Sequence, residues 1–367
     1  MRVAIVAAAL LAAACSRASS PDFVVRPAAL GPVASPFPVA ARVIHFADFG
    51  DDTRQQAAVA ASMAAYARSV PVDLLLSPGD NLYECGPDPM LPGAAACAFG
   101  PDQNTITPGY TPPADPSFEK LFERALAGIT RDGRPVPVLL TLGNHDVAST
   151  GTCASGGEGR DISRRRACLE VAHRSPSWSM PGRHWVFDQG PARFIGIDSN
   201  LLKRADHAGF SIDDEVAFVA EAARPCGQKL CFVVSHHPSF SAGEHRADAT
   251  PEYLARVKRI EEAAGPIAGW LSGHEHQLEH LRAPAGYDVL ISGNSARGRP
   301  GERFQTVSAP GARLLFASTR WGFGVLEVGD GGSWSYRFVD DAGRSIQCCT
   351  ASARGRCEPA ACPPQMP

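Results

Sequence analysis

A chain of 367 residues is long for one domain and short for three. Its 44% apolar and 20% charged content is that of a soluble globular protein with a sizeable core. A formal net charge of −3 lacks the basic footprint of a nucleic-acid binder, so no nucleic-acid partner is expected.

Residues 1–14, MRVAIVAAALLAAA, place one Arg before an apolar run that ends in small side chains. The run is shorter than the ~20 residues of a membrane span and has the pattern of a secretory signal. Cys15 follows, and LLAAAC resembles a bacterial lipoprotein signal in which that Cys is lipidated and becomes the mature N-terminus, although Leu11 stands one place early. Plain cleavage after Ala14 is the competing reading. Residues 15–40, rich in Pro, Ala and Ser without an apolar period, read as the anchor Cys and a tether. The expected location is the bacterial periplasm or outer membrane, as a lipoprotein held only through lipid at Cys15, or alternatively the secreted fraction.

Ten further cysteines remain, an even number in an exported chain, and they read as disulfides. Proximity pairs Cys85 with Cys97, Cys153 with Cys168, and Cys226 with Cys231, each closing a short loop. Cys348, Cys349, Cys357 and Cys362 stay unassigned. None shows the paired short spacing of a structural zinc site.

From residue 41 to about 345 apolar, β-branched runs alternate with helical spacing. Strands are expected at ARVIHFAD, VDLLLSPGD, VPVLLTLGNHD, ARFIGIDSN, KLCFVVSHH, GPIAGWLSGHEH and YDVLISGNS. Helices are expected at 53–69, 117–128, 161–173, 213–223 and 252–264. Nearly continuous apolar strands between helices predict an α/β domain with strands covered on both sides. GFGVLEV and SWSYRFVDD read as a hairpin joined by GDGG, and residues 346–367 as a Cys-rich tail. Two Gly- and Pro-rich loops, 84–116 and 148–160, each begin close to a polar cluster, which favours a functional reading.

Five such clusters stand where apolar runs stop: Asp48-Phe49-Gly50, Gly79-Asp80-Asn81-Leu82-Tyr83, Gly143-Asn144-His145-Asp146, Val233-Val234-Ser235-His236 and Gly273-His274-Glu275-His276. Ligands of open α/β sheets sit beyond the carboxyl ends of strands, where loops gather groups from distant parts of the chain. Oxygen donors mixed with imidazole, without a thiolate, suit Fe, Mn or Zn, and they are too many for one ion. Two ions about 3.5–4 Å apart are a recognised arrangement for displacement at phosphorus. DFG or GDNLY alone is weak, because an Asp beside a Gly is usually a turn; five clusters in order are not coincidence.

The order DFG, GDNLY, GNHD, VVSH, GHEH resembles the calcineurin-like metallophosphoesterase family. Within it, the sequence is similar to the purple acid phosphatases of the small, mammalian, tartrate-resistant type. Most of the broader family carries His two places after the first Asp; here that place is Gly50 and Tyr83 is present instead, as in the purple branch. HHPSFSAGEH repeats the small members' spacing, with His245 nine residues beyond His236. The resemblance spans about residues 43–340 and implies a single catalytic domain, a β-sandwich flanked by helices in four layers (α/β/β/α). It implies that Asp48, Tyr83 and His276 bind a ferric ion, that Asn144, His236 and His274 bind a divalent Fe, Zn or Mn, and that Asp80 bridges them. His145 and His245 match the substrate-contacting and proton-donating histidines; His237 receives no role.

A phenol becomes a strong ligand only when a highly charged ion displaces its proton, so Tyr83 signals a trivalent metal. Asp48, Asp80, tyrosinate and one hydroxide then leave the centre at about +1, suited to a phosphoryl anion. The reaction implied is acidic hydrolysis of small phosphomonoesters, with a metal-activated hydroxide attacking phosphorus in line and a protonated His serving the leaving oxygen. A phosphodiesterase or nucleotide-cleaving relative with the same core is the nearest alternative, and a non-catalytic surface binding lipoprotein is the alternative of a different class. His45, His173, His184, His207 and His280 read as packing or surface residues, Asp146 and Glu275 as supporting or solvent-facing groups, and Arg164–Arg166 as a solvated helix face.

Overall fold

Strands whose side chains are apolar on both faces need a covering layer on each side. Along Ala41–His45 and Leu74–Pro78, Val43, Leu74 and Leu76 turn to one core while Ile44 and Leu75 turn to another. The computed structural model describes residues 34–147, 159–299, 304 and 306–363. The expected signal, Cys15, most of the tether, Cys153 and most of the second Gly-rich loop lie outside them.

Two sheets stack face to face. In spatial order the first holds Glu358–Ala360, Ser345–Ala351, Trp334–Asp340, Gly322–Val328, Ala41–His45, Leu74–Pro78, Val138–Thr141, Trp178–Ser179 and Arg174–Ser175. The second holds Arg313–Ser318, Leu278–Arg282, Asp288–Ser292, Gly269–Ser272, Leu230–Ser235, Ala192–Gly196 and Trp185–Gln189. Leu76, Phe194, Phe232, Val234, Leu271 and Trp334 fill the space between them. The outward side chains of the same strands, Ile44, Leu75, Ile195, Val233 and Trp270, pack with Val59, Met63, Val219, Val257 and Ile260 from the helices. Helices Arg54–Ser69, Arg160–Ala172, Ile212–Ala222 and Pro251–Ala264 complete the four-layer α/β/β/α arrangement. Thr53, Ser211 and Thr250 cap three of them, each accepting from a backbone N–H in the first turn. Residues 118–126, expected as one α-helix, wind as a π segment, Phe118–Glu123, before the α turn Arg124–Leu126.

Strands Trp185–Gln189, Leu278–Arg282, Arg313–Ser318 and Ser345–Ala351 were not legible. Leu278–Arg282 is too polar in sequence; its His280 and Arg282 are buried against Asp288, whose other oxygen accepts the Cys357 backbone N–H at 2.8 Å. That contact ties the tail, a continuation of the first sheet, to the second sheet.

Two expected disulfides are corrected. Cys97 bonds Cys168, not Cys85, across a Cα separation of 5.9 Å, which also removes the Cys153–Cys168 pair. The 84–116 segment lies along helix Arg160–Ala172, where the Arg165 guanidinium donates to Pro89 O at 3.1 Å, so the bond follows a tertiary contact. Cys226–Cys231 forms as expected, and the tail pairs Cys348 with Cys362 and Cys349 with Cys357. Arg166 is buried and Arg164 stacks 4.6 Å over Phe210, so this run is not a solvated face.

His45 is wholly buried between the sheets. Its Nε2–H donates to Ser272 O at 3.1 Å, leaving Nδ1 to accept the Tyr336 hydroxyl at 2.8 Å. Burial pushes its pKa down to about 3, against a smaller opposing pull from Ser272 O. A buried neutral imidazole of this kind stabilises the fold fully above its unfolded pKa of about 6.5, and that contribution is lost as pH falls toward 3. Each pH unit in the window is worth roughly 1.4 kcal/mol. Between pH 6 and 4, the fall in urea midpoint is expected to be shallower for His45→Gln than for wild type; parallel curves would remove this assignment.

Candidate functional site

Leu74–Pro78 runs parallel to Ala41–His45 and to Val138–Thr141, and Leu230–Ser235 runs parallel to Gly269–Ser272. Parallel strands end on the same side. The segments that leave those ends carry Asp48, Asp80, Asn144, His236 and His274 to one rim of the sandwich, with Tyr83 and His276 a few residues on. Backbone crowding there is severe. A Cβ on Gly143 would stand 2.2 Å from the Asp80 backbone nitrogen. Asp48, Asp80 and His274 hold φ of 55°, 52° and 67°, a left-handed conformation that side chains resist and that concentrates at functional sites.

The donors gather in two groups. In the first, the Tyr83 hydroxyl lies 3.0 Å from Asp48 Oδ1, 2.9 Å from Asp80 Oδ2 and 3.4 Å from His276 Nε2, which is itself 3.3 Å from Asp48 Oδ1. In the second, His236 Nε2 lies 2.8 Å from Asn144 Oδ1 and 3.2 Å from His274 Nδ1. Asp80 joins them, with Oδ2 on the tyrosine and Oδ1 3.3 Å from His236 Nε2. All seven residues assigned to metal by resemblance thus converge.

The tautomers decide what the second group can hold. His236 Nδ1 faces Pro78 O at 3.1 Å and His274 Nε2 faces the Asp248 carboxylate at 2.9 Å; both partners only accept, so both nitrogens carry the proton. The opposing nitrogens are then lone pairs, and they point at each other beside an amide oxygen. Three acceptors converge with no proton among them, which fits a cation. In the first group a single phenol proton serves two carboxylates, and burial, followed by the charges of Asp48 and Asp80, drives the Tyr83 pKa far above its ordinary value. Burial raises Asp48 to about 7. It pushes Asp80 upward as well, but His236 and His145 outweigh it and hold Asp80 at about 2. Crowded oxygens in a dry pocket are the donor set of a hard cation.

Around this core, the His145 backbone N–H donates to Asp80 Oδ1 at 2.9 Å. Its ring Nδ1–H donates to Glu84 O at 2.7 Å, which leaves Nε2 turned toward Asp80 Oδ2, 4.0 Å away. His245 packs its ring 4.1 Å from that of His274, and its Nε2 accepts from Arg299 Nη2 at 3.0 Å. Burial and then Arg299 hold its pKa down at about 4. His237, buried, meets Ser199 Oγ at 3.0 Å.

Sequence reading missed several partners. Arg297 lies 4.0 Å over the Tyr83 ring and grips Asp51 with both ends of its guanidinium while touching Glu84, which fixes the phenol from the open side. Asp248 sets the His274 tautomer. Glu275 is wholly buried and faces no solvent: it accepts from the backbone N–H of Glu244 at 3.1 Å and of His245 at 2.9 Å, and from Ser241 Oγ at 2.9 Å. Asp146 accepts from the N–H groups of Asn81, Leu82 and Gly143, pinning the two loops that carry Asp80 and Asn144. GHEH flagged Glu275 as a motif member; nothing in the sequence marks Arg297 or Asp248.

Residues 41–278 match the family model described as calcineurin-like phosphoesterase. Over 316 residues the chain is 23% identical to the tartrate-resistant acid phosphatase type 5 of Rattus norvegicus, covering 80% of this chain and 83% of that one. The Homo sapiens protein of the same name is 21% identical over 315 residues. Among solved structures the fold is shared with GAP50, the anchor in the inner membrane complex of Plasmodium, at a TM-score of 0.63 and 16% identity over 87% of this chain and 90% of that one. It is shared as well with a purple acid phosphatase from yellow lupin (Lupinus luteus) seeds, at a TM-score of 0.58 and 14% identity over 85% of this chain and 53% of that one.

Glu275→Gln puts an amide N–H against backbone N–H groups that need an acceptor. The expected cost is about 1–3 kcal/mol in urea unfolding, with faster amide exchange at residues 244–248. Unchanged exchange there would show that Glu275 does not hold the His245 loop.

Proposed function

The chain belongs to the calcineurin-like phosphoesterases, hydrolases of phosphoric esters, and from that premise we propose that it is an acid phosphatase of the purple type acting on small phosphomonoesters. The observation that carries this reading is Asp80 standing with one oxygen on a phenol group and the other on an imidazole group. Asp48, Tyr83 and His276 would hold Fe(III) and Asn144, His236 and His274 a divalent Fe, Zn or Mn, with Asp80 within reach of both groups. When bound, the two ions neutralise the phosphoryl oxygens and lower the pKa of the attacking water.

The chain's own groups do the rest. Asp48, Asp80 and the Tyr83 phenolate offset three of the five metal charges, so the pocket keeps about two positive charges for a phosphomonoester dianion. Arg299, paired with Glu244 at 3.0 Å, holds the His245 ring at the rim. His145 is the proton donor: with Nδ1–H fixed on Glu84 O, its Nε2 is the ring nitrogen available to the leaving oxygen. His245 is the poorer donor, because Nε2 already accepts from Arg299 and burial disfavours its charged form. His245 orients substrate instead. The disulfides support folding in an oxidising compartment, in keeping with export and a lipid anchor at Cys15.

Purified protein is expected to contain iron and to absorb visible light through tyrosinate-to-iron charge transfer. Tyr83→Phe should abolish the band while retaining the fold; a surviving band would assign the chromophore elsewhere. His145→Ala should lower kcat by ~10²-fold or more for alkyl phosphates and by much less for nitrophenyl phosphate, whose leaving oxygen needs no proton. Equal losses on both would count against His145 as the donor. Phosphomonoesters should turn over faster than their bis-esters, and the reverse order would favour a phosphodiesterase.

A further inference from the structure

A cavity of about 230 Å³ is lined by Asn144 and His274 together with Lys203, Arg204, His207 and Asp248. We propose that this cavity is a subsite for a second small oxyanion, a phosphate or a carboxylate, on the leaving group of the substrate. The inference rests on the reading above in that the first phosphoryl group sits at the metal centre.

Charge points to an anion. Arg204 is exposed and forms no ion pair among the described residues. Lys203 Nζ is paired with Asp248 Oδ1 at 2.5 Å, and Asp248 lines the same cavity, so the net positive charge of the lining is that of Arg204. His207, only 7% exposed, completes the lining. The wall is also held in place: Arg256 Nη1 donates to Leu202 O at 2.9 Å and to Lys203 O at 3.2 Å, fixing the turn that presents both cations.

Size sets the class of ligand. Drug-sized pockets run to about 300–1,000 Å³, so this one accepts a single compact group rather than a nucleoside. Substrates of the form phosphate–short carbon chain–oxyanion fit, with the ester phosphate at the metal centre and the second anion beside Arg204 and Lys203.

The test uses the metal-loaded protein at fixed ionic strength and three inert ligands of matched length: butylphosphonate, 4-phosphonobutyrate and propane-1,3-bisphosphonate. Titration calorimetry should show at least one of the two dianchored ligands binding ten-fold or more tightly than butylphosphonate, and the tighter of the two identifies the oxyanion as carboxylate or phosphate. In Lys203→Met and in Arg204→Gln that advantage should shrink to three-fold or less. Lys258→Met, which removes an exposed charge on the neighbouring helix, should leave it intact. Equal binding of all three ligands, or an advantage that survives both cavity substitutions, overturns the subsite. If the binding preference holds but none of the corresponding phosphates is hydrolysed, the phosphatase reading falls and the subsite stands.

Discussion

An imidazole that gives its one proton away from a site is left with a lone pair pointing into it. The fold arranges this twice, at His236 against Pro78 O and at His274 against Asp248, so that two nitrogens meet 3.2 Å apart with nothing between them to share. Across Asp80, two carboxylates and a phenol repeat the conflict with oxygens. Neither group is satisfied by protein alone. The sandwich, the pinned loops and the left-handed residues serve to hold acceptors at separations they would otherwise avoid.

Rigidity comes from the way two sheets meet at one rim. The first sheet delivers the Asp48, Asp80 and Asn144 loops and the second delivers the His236 and His274 loops, while the core between the sheets fixes the distance separating them. Polar struts cross the interior where apolar packing alone would leave the rim free to shift: His45 joins Tyr336 to Ser272, one residue before Gly273-His274. Asp146 and Glu275 act closer in, each spending its oxygens on backbone N–H groups of ligand-bearing loops. These residues touch no substrate, yet they determine where the donors stand.

The site was legible in the sequence because its donors occur at strand ends in fixed short motifs, and a motif is local. Seven donors and His145 could be named from five clusters, and His245 from its spacing after His236 in HHPSFSAGEH. The sandwich followed from alternating apolar runs, although strands such as Leu278–Arg282 were hidden by polar side chains that only burial against Asp288 explains. What stayed hidden is what tertiary contact creates. Cys97 reaches Cys168 because a loop lies along a helix, and Arg297 reaches Tyr83 from over two hundred residues away. His207 looked like a packing residue because its sequence neighbours do not reveal the cavity it faces.

The strand that carries Asp48 to the rim is flanked by Leu74–Pro78 on one side and by Gly322–Val328 on the other. Every donor lies before residue 277, and the family match ends at 278, but that strand's antiparallel neighbour arrives more than forty residues later. A boundary drawn around the motifs therefore cuts through a structural unit. A fragment ending there would keep every ligand and expose the edge of the strand that positions the first of them, so the minimal active piece of this chain is set by its sheet and extends beyond its signature residues.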